Sequence, residues 1–325
     1  MRSNMCVPNI GRDGPCKLQH LTILLWDGER KMYNHVHKLK KGERQTVSKQ
    51  ILLALLGTAL TALLLFSERG QGQPINTAGS LRGDPVDRAR PKVLYLTHSA
   101  GFKHDVLPLS QQILKEIGER THAFEVTATD DCSLLSREGL KTYDAVVFYT
   151  TGELPISDEQ KAAFLDFIRS GKGLVGIHSA TDTFYKWPEY GELIGGYFDQ
   201  HPWHQEVTIN IEDQRHPATQ AINIHEERHG TVVRSEKSFK ITDEIYQFKD
   251  FSRSRVHVLL SLDVNSVDLN KPAVHRTDKD FAVAWWRNYG KGRVFYTALG
   301  HRPEVWQDER FQQHLLGAVR WAMGL

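Results

Sequence analysis

Histidine is the residue type that stands out for chemistry in this sequence. The chain of 325 residues contains 16 histidines. An imidazole titrates near neutral pH and also binds divalent metals, so it can serve as a general acid, a general base or a ligand. Three of them, His98, His178 and His301, follow short apolar runs that are typical of buried strands. Because neighbouring parallel strands end at the same edge of a sheet, we expect these three imidazoles to line one cleft.

The central residue of this group is His178, in the middle of Gly176-Ile177-His178-Ser179-Ala180. A strand-to-helix turn of this kind is a nucleophile elbow, in which the middle residue is forced outward at the top of the sheet. An imidazole at that position predicts a general acid or base, or a metal ligand. We predict a catalytic group of His178 and His301, with Asp182 orienting an imidazole or binding hydroxyl groups. Ser179 is an alternative nucleophile for which no base can be assigned.

A second histidine pair, His201 and His204, lies three residues apart within 198–205. Together with His178 or His301 it would bind a divalent metal such as zinc. No glutamate follows His201 as it does in H-E-x-x-H, so the spacing alone is a weak indicator. The alternative is a loop with one packed and one exposed histidine.

Aromatic and polar residues near these histidines favour a polyhydroxylated small molecule, such as a sugar, as the substrate. The candidate substrate-binding residues are His98, His104, Ser179, Tyr185, Trp203 and Glu244. Most aromatic residues of any domain are core residues, which is the alternative for Tyr185 and Trp203. For Glu244 the alternative is a helix cap or a solvated turn.

Hydrophobic periodicity predicts the elements that position these residues. In the first half, the predicted strands are 92–97, 124–129, 145–149 and 173–177. A helix is predicted from Leu107 to Arg120, and a second one begins at the capping box Ser157-Asp158-Glu159-Gln160 and ends at Gly171. Alternation of strands and helices requires a parallel sheet with right-handed crossovers.

The second half lacks long helices between its strands. The predicted strands here are 206–211, 257–264, 281–289 and 292–299, and a closing helix is predicted over 311–323. The short connection Gly290-Lys291-Gly292 predicts an antiparallel hairpin. The fold class is therefore α/β, with a flavodoxin-like parallel sheet and an antiparallel extension.

The N-terminal part of the chain has a different composition. We divide the chain into a basic leader (1–50), an apolar segment (51–66), a linker (67–90) and one folded domain (91–325). A basic flank before a short apolar run is the layout of a secretory signal. The protein is therefore predicted to be exported to the periplasm or another extracytoplasmic space. A cleaved signal, a membrane anchor formed by 51–66 and a buried core helix remain alternatives.

Charge and cysteine content exclude some other classes. The net charge is +2 and basic residues of the domain alternate with acidic ones, which gives no support for nucleic-acid binding. Three cysteines form neither a disulfide framework nor a C-x-x-C zinc pattern. The oligomeric state stays open, with a homo-oligomer among the alternatives.

The folded part resembles the ThuA-like, or trehalose-utilisation, family. The motifs that carry the resemblance are 98–104, 173–182, 195–198 with His201-Pro202, 242–246, and 289–296 with Gly300-His301. The resemblance implies the fold of class I glutamine amidotransferases, whose elbow Gly-x-Cys-x-Gly aligns with Gly176 to Ala180. Here His178 replaces the cysteine, so glutamine hydrolysis is not expected.

The resemblance further implies a role in the metabolism of trehalose or related disaccharides and their 3-keto derivatives. Two functions are consistent with it. The first is an enzyme that acts on a sugar or keto-sugar as a hydrolase, lyase or isomerase. The second is a non-catalytic module that binds or senses carbohydrate in the same cleft.

Overall fold

The computed structural model describes residues 89–325, except 221, 223–224, 229–230 and 234–236. The predicted leader, the apolar segment and nearly all of the linker lie outside the described residues. Export and membrane anchoring therefore stay predictions. Among the described residues, no helix is long and apolar enough to cross a membrane.

A nine-stranded sheet forms the centre of the folded part, in the order β2-β1-β3-β4-β11-β10-β9-β5-β8. The strands are β1 (Lys92–Leu96), β2 (Glu125–Thr129), β3 (Ala145–Phe148), β4 (Gly173–Ile177), β5 (Tyr197–Ile211), β8 (Ser238–Lys249), β9 (His257–Leu262), β10 (Ala282–Tyr289) and β11 (Gly292–Thr297). A separate two-stranded sheet consists of β6 (His225–Arg228) and β7 (Thr231–Val233).

The parallel half of the large sheet runs from β2 to β11. Every residue of β3 and β4 is buried, which requires cover on both faces and explains their continuously apolar sequences. The helices are α1 (Leu107–Thr121), α2 (Arg137–Leu140), α3 (Asp158–Arg169), α4 (Pro188–Ile194), α5 (Pro217–Gln220), α6 (Pro303–Gln307) and α7 (Glu309–Ala322). The capping box predicted at Ser157 is present at the start of α3. The predicted fold class is confirmed.

The antiparallel half differs from the prediction in two places. Strand β5 begins at Tyr197, nine residues before the predicted 206–211, so the segment containing His201 and His204 is a strand and not a loop. Strand β8 contains Glu244, for which a cap or turn was the alternative. Both strands carry many polar residues, and β5 shifts register twice against β8, so neither shows a clean alternation.

The ribbon of β5 and β8 contacts the turn that follows β4. This contact brings side chains from the far edge of the sheet to the carboxyl ends of the central parallel strands. Ligands of open α/β sheets bind at these strand ends.

Candidate active site

The residue after β4 adopts the strained conformation of an elbow. His178 has φ 47°, in the left-handed region that residues other than glycine seldom occupy. Its side chain is fully buried, and Nδ1–H donates a hydrogen bond of 2.7 Å to the carbonyl oxygen of Ala298. Because Nδ1 is the donor to Ala298, Nε2 is the ring nitrogen that faces the other side.

Three groups surround Nε2 of His178. The hydroxyl of Tyr246 lies at 3.0 Å, Nδ1 of His301 at 3.2 Å and Oε2 of Glu244 at 3.4 Å. These residues come from β8 and from the loop after β11. The predicted meeting of His178 and His301 is therefore present in the structure.

Glu244 is the acidic centre of this cluster. Its carboxylate lies 3.3 Å from His301 Nδ1, through Oε2, and 3.5 Å from His201 Nδ1, through Oε1. Burial by itself raises the pKa of the carboxyl group, but hydrogen bonds from His178 and His301 outweigh it and lower the pKa. In return, the hydrogen bond to Glu244 raises the pKa of His301. The cluster therefore favours an ionised carboxylate beside a protonated imidazole.

The loop between β1 and α1 carries His104 into the same place. The ring centroid of His104 lies 5.0 Å from that of His178 and 5.3 Å from that of His301. Burial, and then the charges of His178 and His301, lower the pKa of His104 to about 3. Its Nδ1 is buried and makes no hydrogen bond with any described residue.

His98 lies elsewhere, contrary to the prediction that it joins His178 and His301. Its Nδ1 is 2.9 Å from the carbonyl oxygen of Asp130, after β2, and it lines a separate depression with Cys132. Strand β1 lies between β2 and β3, so the first residues after it lie beside β2. Only the later part of the loop, with His104, turns back toward β4.

A cavity of about 430 Å³ opens in front of the cluster. Its lining residues are Phe102, His104, Asp182, Phe198, His201, Glu244, Tyr246 and His301. A second cavity of about 290 Å³ shares Phe102, His104 and His301 and adds Asp105, Val106, His204, Arg302 and Pro303. His178 is absent from both linings, so it lies behind Glu244 and His301 and does not form the wall itself.

Asp182 lines the larger cavity, as its predicted role requires. Burial raises the pKa of its carboxyl group. The hydroxyl of Tyr185 donates a hydrogen bond of 2.7 Å to Oδ1. Tyr185 itself is outside both cavity linings, so its place is behind Asp182 and not at the substrate.

Two further predicted substrate contacts lie in the interior. Trp203 is fully buried, packs edge-on against Phe281 and donates Nε1–H to the carbonyl oxygen of Asp268. Ser179 is also fully buried and lies outside both cavity linings. Trp203 is a core residue because β5 directs it inward, toward the packed side of the ribbon. The alternative of a core aromatic is therefore correct for Trp203.

Among the described residues, two groups of side chains could hold a metal. In the first group, each of His104, His178 and His301 offers one ring nitrogen, and these nitrogens lie within 4.8 Å of one another. In the second group, the ligand atoms of His204, Glu244 and His301 lie within the same distance of one another. His204 is thus placed as predicted beside His301, with ring centroids 5.0 Å apart. His201 approaches Glu244 but belongs to neither group.

Sequence reasoning missed Tyr246, Phe102, Phe198 and Asp243 as parts of the site. The detectable signal was the spacing of Glu244 and Tyr246. Residues two apart on a strand share a face, so recognising 242–246 as a strand would have placed both on the same face of that strand.

The family of the chain follows from a family model described as trehalose utilisation, ThuA, which matches residues 92–322. The chain belongs to this family. A ThuA-like protein from Bacteroides uniformis ATCC 8492 is similar in structure, with a TM-score of 0.59, 25% identity, and coverage of 77% of this chain and 95% of that chain. One from Parabacteroides merdae ATCC 43184 shares the fold, with a TM-score of 0.53, 20% identity, and coverage of 72% and 90%. None of the curated proteins matches the chain.

Proposed function

We propose that this ThuA-family protein is an enzyme that acts on a sugar or keto-sugar in the cleft at the carboxyl ends of β4 and β11. The observation that carries the proposal is the contact of 3.3 Å between the Glu244 carboxylate and the His301 imidazole in the wall of the cavity. A proton acceptor and a proton donor stand side by side where a ligand can reach both. This is the minimum that hydrolysis, elimination or isomerisation of a sugar requires.

The roles of the two residues follow from their chemistry. Glu244 is the base that removes a proton from a hydroxyl, from a water molecule or from a carbon next to a keto group. His301 is the electrophile that polarises the carbonyl or the leaving oxygen. Asp182, which accepts a hydrogen bond from Tyr185 and lines the same cavity, binds substrate hydroxyls. His178 is a positioning residue, because it contacts Glu244 and His301 from behind the wall.

The shape of the cleft supports a substrate with two rings. Two cavities of about 430 and 290 Å³ share Phe102, His104 and His301 in their linings, and Phe102 is 66% exposed. An exposed phenyl ring offers an apolar face on which a sugar ring can stack, while carboxylates take its hydroxyls. A disaccharide or its keto derivative would place one ring in each cavity, in agreement with the description of the family.

Glutamine hydrolysis is not proposed, because the elbow lacks the nucleophilic thiol. His178 occupies that position, and Cys132, the one free cysteine among the described residues, lines the separate depression with His98. A buried imidazole anchored to a carbonyl oxygen cannot form the acyl intermediate in place of a thiolate.

The proposal is tested by incubating the protein with trehalose, related disaccharides and their 3-keto derivatives, and by analysing the products. Glu244→Gln keeps the shape of the side chain but removes the base, so turnover should fall by roughly 10²–10⁴-fold. His98→Gln changes a histidine outside the cleft and is the matched control, with turnover unchanged. Full turnover in Glu244→Gln would refute the assignment. Recovery of all bound sugars unaltered would favour the non-catalytic module instead.

A further inference from the structure

The cluster of His104, His178 and His301, at the wall of the cavity, has the composition of a metal centre. Three imidazoles beside one carboxylate suit zinc or another first-row divalent ion better than magnesium or calcium, which prefer oxygen ligands. Nε2 of His178 and Nδ1 of His301 are 3.2 Å apart. A tetrahedral zinc ion with Zn–N bonds of about 2.05 Å requires its nitrogen ligands about 3.3 Å apart. The two rings are therefore already spaced for a shared ion.

The surroundings of the three rings also match those of metal ligands. Metal-binding histidines usually donate their second ring N–H to a carbonyl or carboxylate, as His178 does to Ala298. The carboxylate of Asp243 accepts the backbone N–H groups of Gly300 and Arg302, which fixes the chain on either side of His301. His104 contributes a buried ring nitrogen that no described residue satisfies.

We propose that His104, His178 and His301 bind one divalent transition-metal ion, of which zinc is the best fit, with Glu244 beside it. Position and charge separate this site from the alternative group of His204, Glu244 and His301. His204 is exposed, and its Nε2 lies 3.4 Å from a guanidinium nitrogen of Arg302. A cation held by His204 would lie next to that guanidinium and be repelled by it.

This inference deepens the proposed function, since the ion would replace the His301 proton as the electrophile facing the substrate. It does not depend on that function for its test, because binding is measured without sugar.

The experiment uses the full chain, stripped with a chelator and titrated with Zn²⁺ by calorimetry. One ion per chain is expected, and Co²⁺ should give the visible absorption of a four-coordinate nitrogen and oxygen site. His104→Gln, His178→Gln and His301→Gln should each lower the affinity by at least about 100-fold, because even outer-shell changes cost 10–100-fold. His204→Gln and His98→Gln are the controls and should bind as tightly as the unaltered chain.

Circular dichroism shows which variants fold. If His178→Gln does not fold, His104→Gln still tests the proposal, because it removes no hydrogen bond made in the structure. Failure to bind one Zn²⁺ or Co²⁺ per chain would overturn the proposal. So would loss of binding in His204→Gln with full binding in His104→Gln. Binding without any change in sugars would refute the proposed function alone. Sugar turnover by a chain that binds no metal would refute this inference alone.

Discussion

At the scale of single residues, two adjacent carboxylates of β8 have different tasks. Successive side chains of a strand point to opposite faces, so Asp243 points into the protein while Glu244 faces the cavity. Asp243 is fully buried and accepts hydrogen bonds of 2.7 Å from Gly300 N–H and 3.2 Å from Arg302 N–H. It thereby fixes the loop that presents His301.

Replacement of Asp243 tests this structural task separately from any activity. Asp243→Asn keeps the size of the side chain but leaves only one acceptor atom for two backbone donors. It should lower the free energy of unfolding by about 1–3 kcal/mol, measured by urea denaturation. Glu304→Gln, an exposed carboxylate of the neighbouring helix, should change it by less than about 0.5 kcal/mol. Equal effects of the two substitutions would show that Asp243 does not hold the loop.

At the scale of elements, the placement of His104 depends on a close contact between two loops. The loop after β1 crosses the loop after β3 at Gly101 and Gly152, and the bridge from Ser99 to Thr151 continues β1 beyond its end. Gly152 has φ +74°. A Cβ atom there would lie 2.7 Å from the backbone nitrogen of Gly101, which no rearrangement of a side chain can relieve.

Alanine at the two glycines should therefore have unequal effects. Gly152→Ala should lower the free energy of unfolding by more than about 1 kcal/mol, because the positive φ and the backbone clash act together. It should also increase hydrogen exchange in 98–106, the segment that carries Phe102 and His104. At Gly101 the nearest atoms to a new Cβ are 3.4 Å away, so Gly101→Ala should leave exchange unchanged. Similar exchange in both variants would contradict the contact.

At the scale of the whole molecule, two buried histidines, His216 and His314, line neither cavity of the cleft. His314, on α7, donates Nδ1–H to the carbonyl oxygen of Ala218, and His216 accepts the N–H of the same residue. Burial lowers the pKa of each to about 4. The charge of His314 lowers the pKa of His216 further, the charge of Asp213 raises it, and the charge of His257 lowers it.

These two histidines should make the fold sensitive to acid. Unfolded histidine has a pKa of about 6.5, so between pH 6.5 and 4 the unfolded chain binds protons that the folded chain excludes. Above pH 6.5 these two rings do not reduce the free energy of unfolding. As the pH drops from 6.5 toward 4, the free energy of unfolding falls by on the order of 3 kcal/mol for each histidine.

Urea denaturation of the full chain across this pH range measures the effect. The double variant His216→Gln/His314→Gln should lose less stability on acidification than the unaltered chain, whatever its stability at pH 7. His98→Gln is the matched control and should retain the full pH dependence. An unchanged slope in the double variant would show that these rings do not cause the acid sensitivity.

The sequence by itself determined strands β1 to β4 of the parallel half of the sheet, the helix start at Ser157 and the elbow at His178. These features are local, since continuous apolar runs, capping residues and a strand-to-helix turn are encoded within about ten neighbouring residues. The alternation of strands and helices predicted a parallel sheet with right-handed crossovers, but not the order of its strands.

Only the tertiary structure decided which further side chains join His178 and His301. His178 and His301 are 123 positions apart, and their contact was predictable because both follow parallel strands. His98 also follows a parallel strand but lies beside β2, because the hydrophobic periodicity of a strand does not predict the path of the loop that follows it. Glu244 and Tyr246 reach the cluster through the long ribbon of β5 and β8, whose register shifts depend on pairing between distant segments. Contacts of this kind arise from the packing of the whole sheet, and no local sequence pattern predicts them.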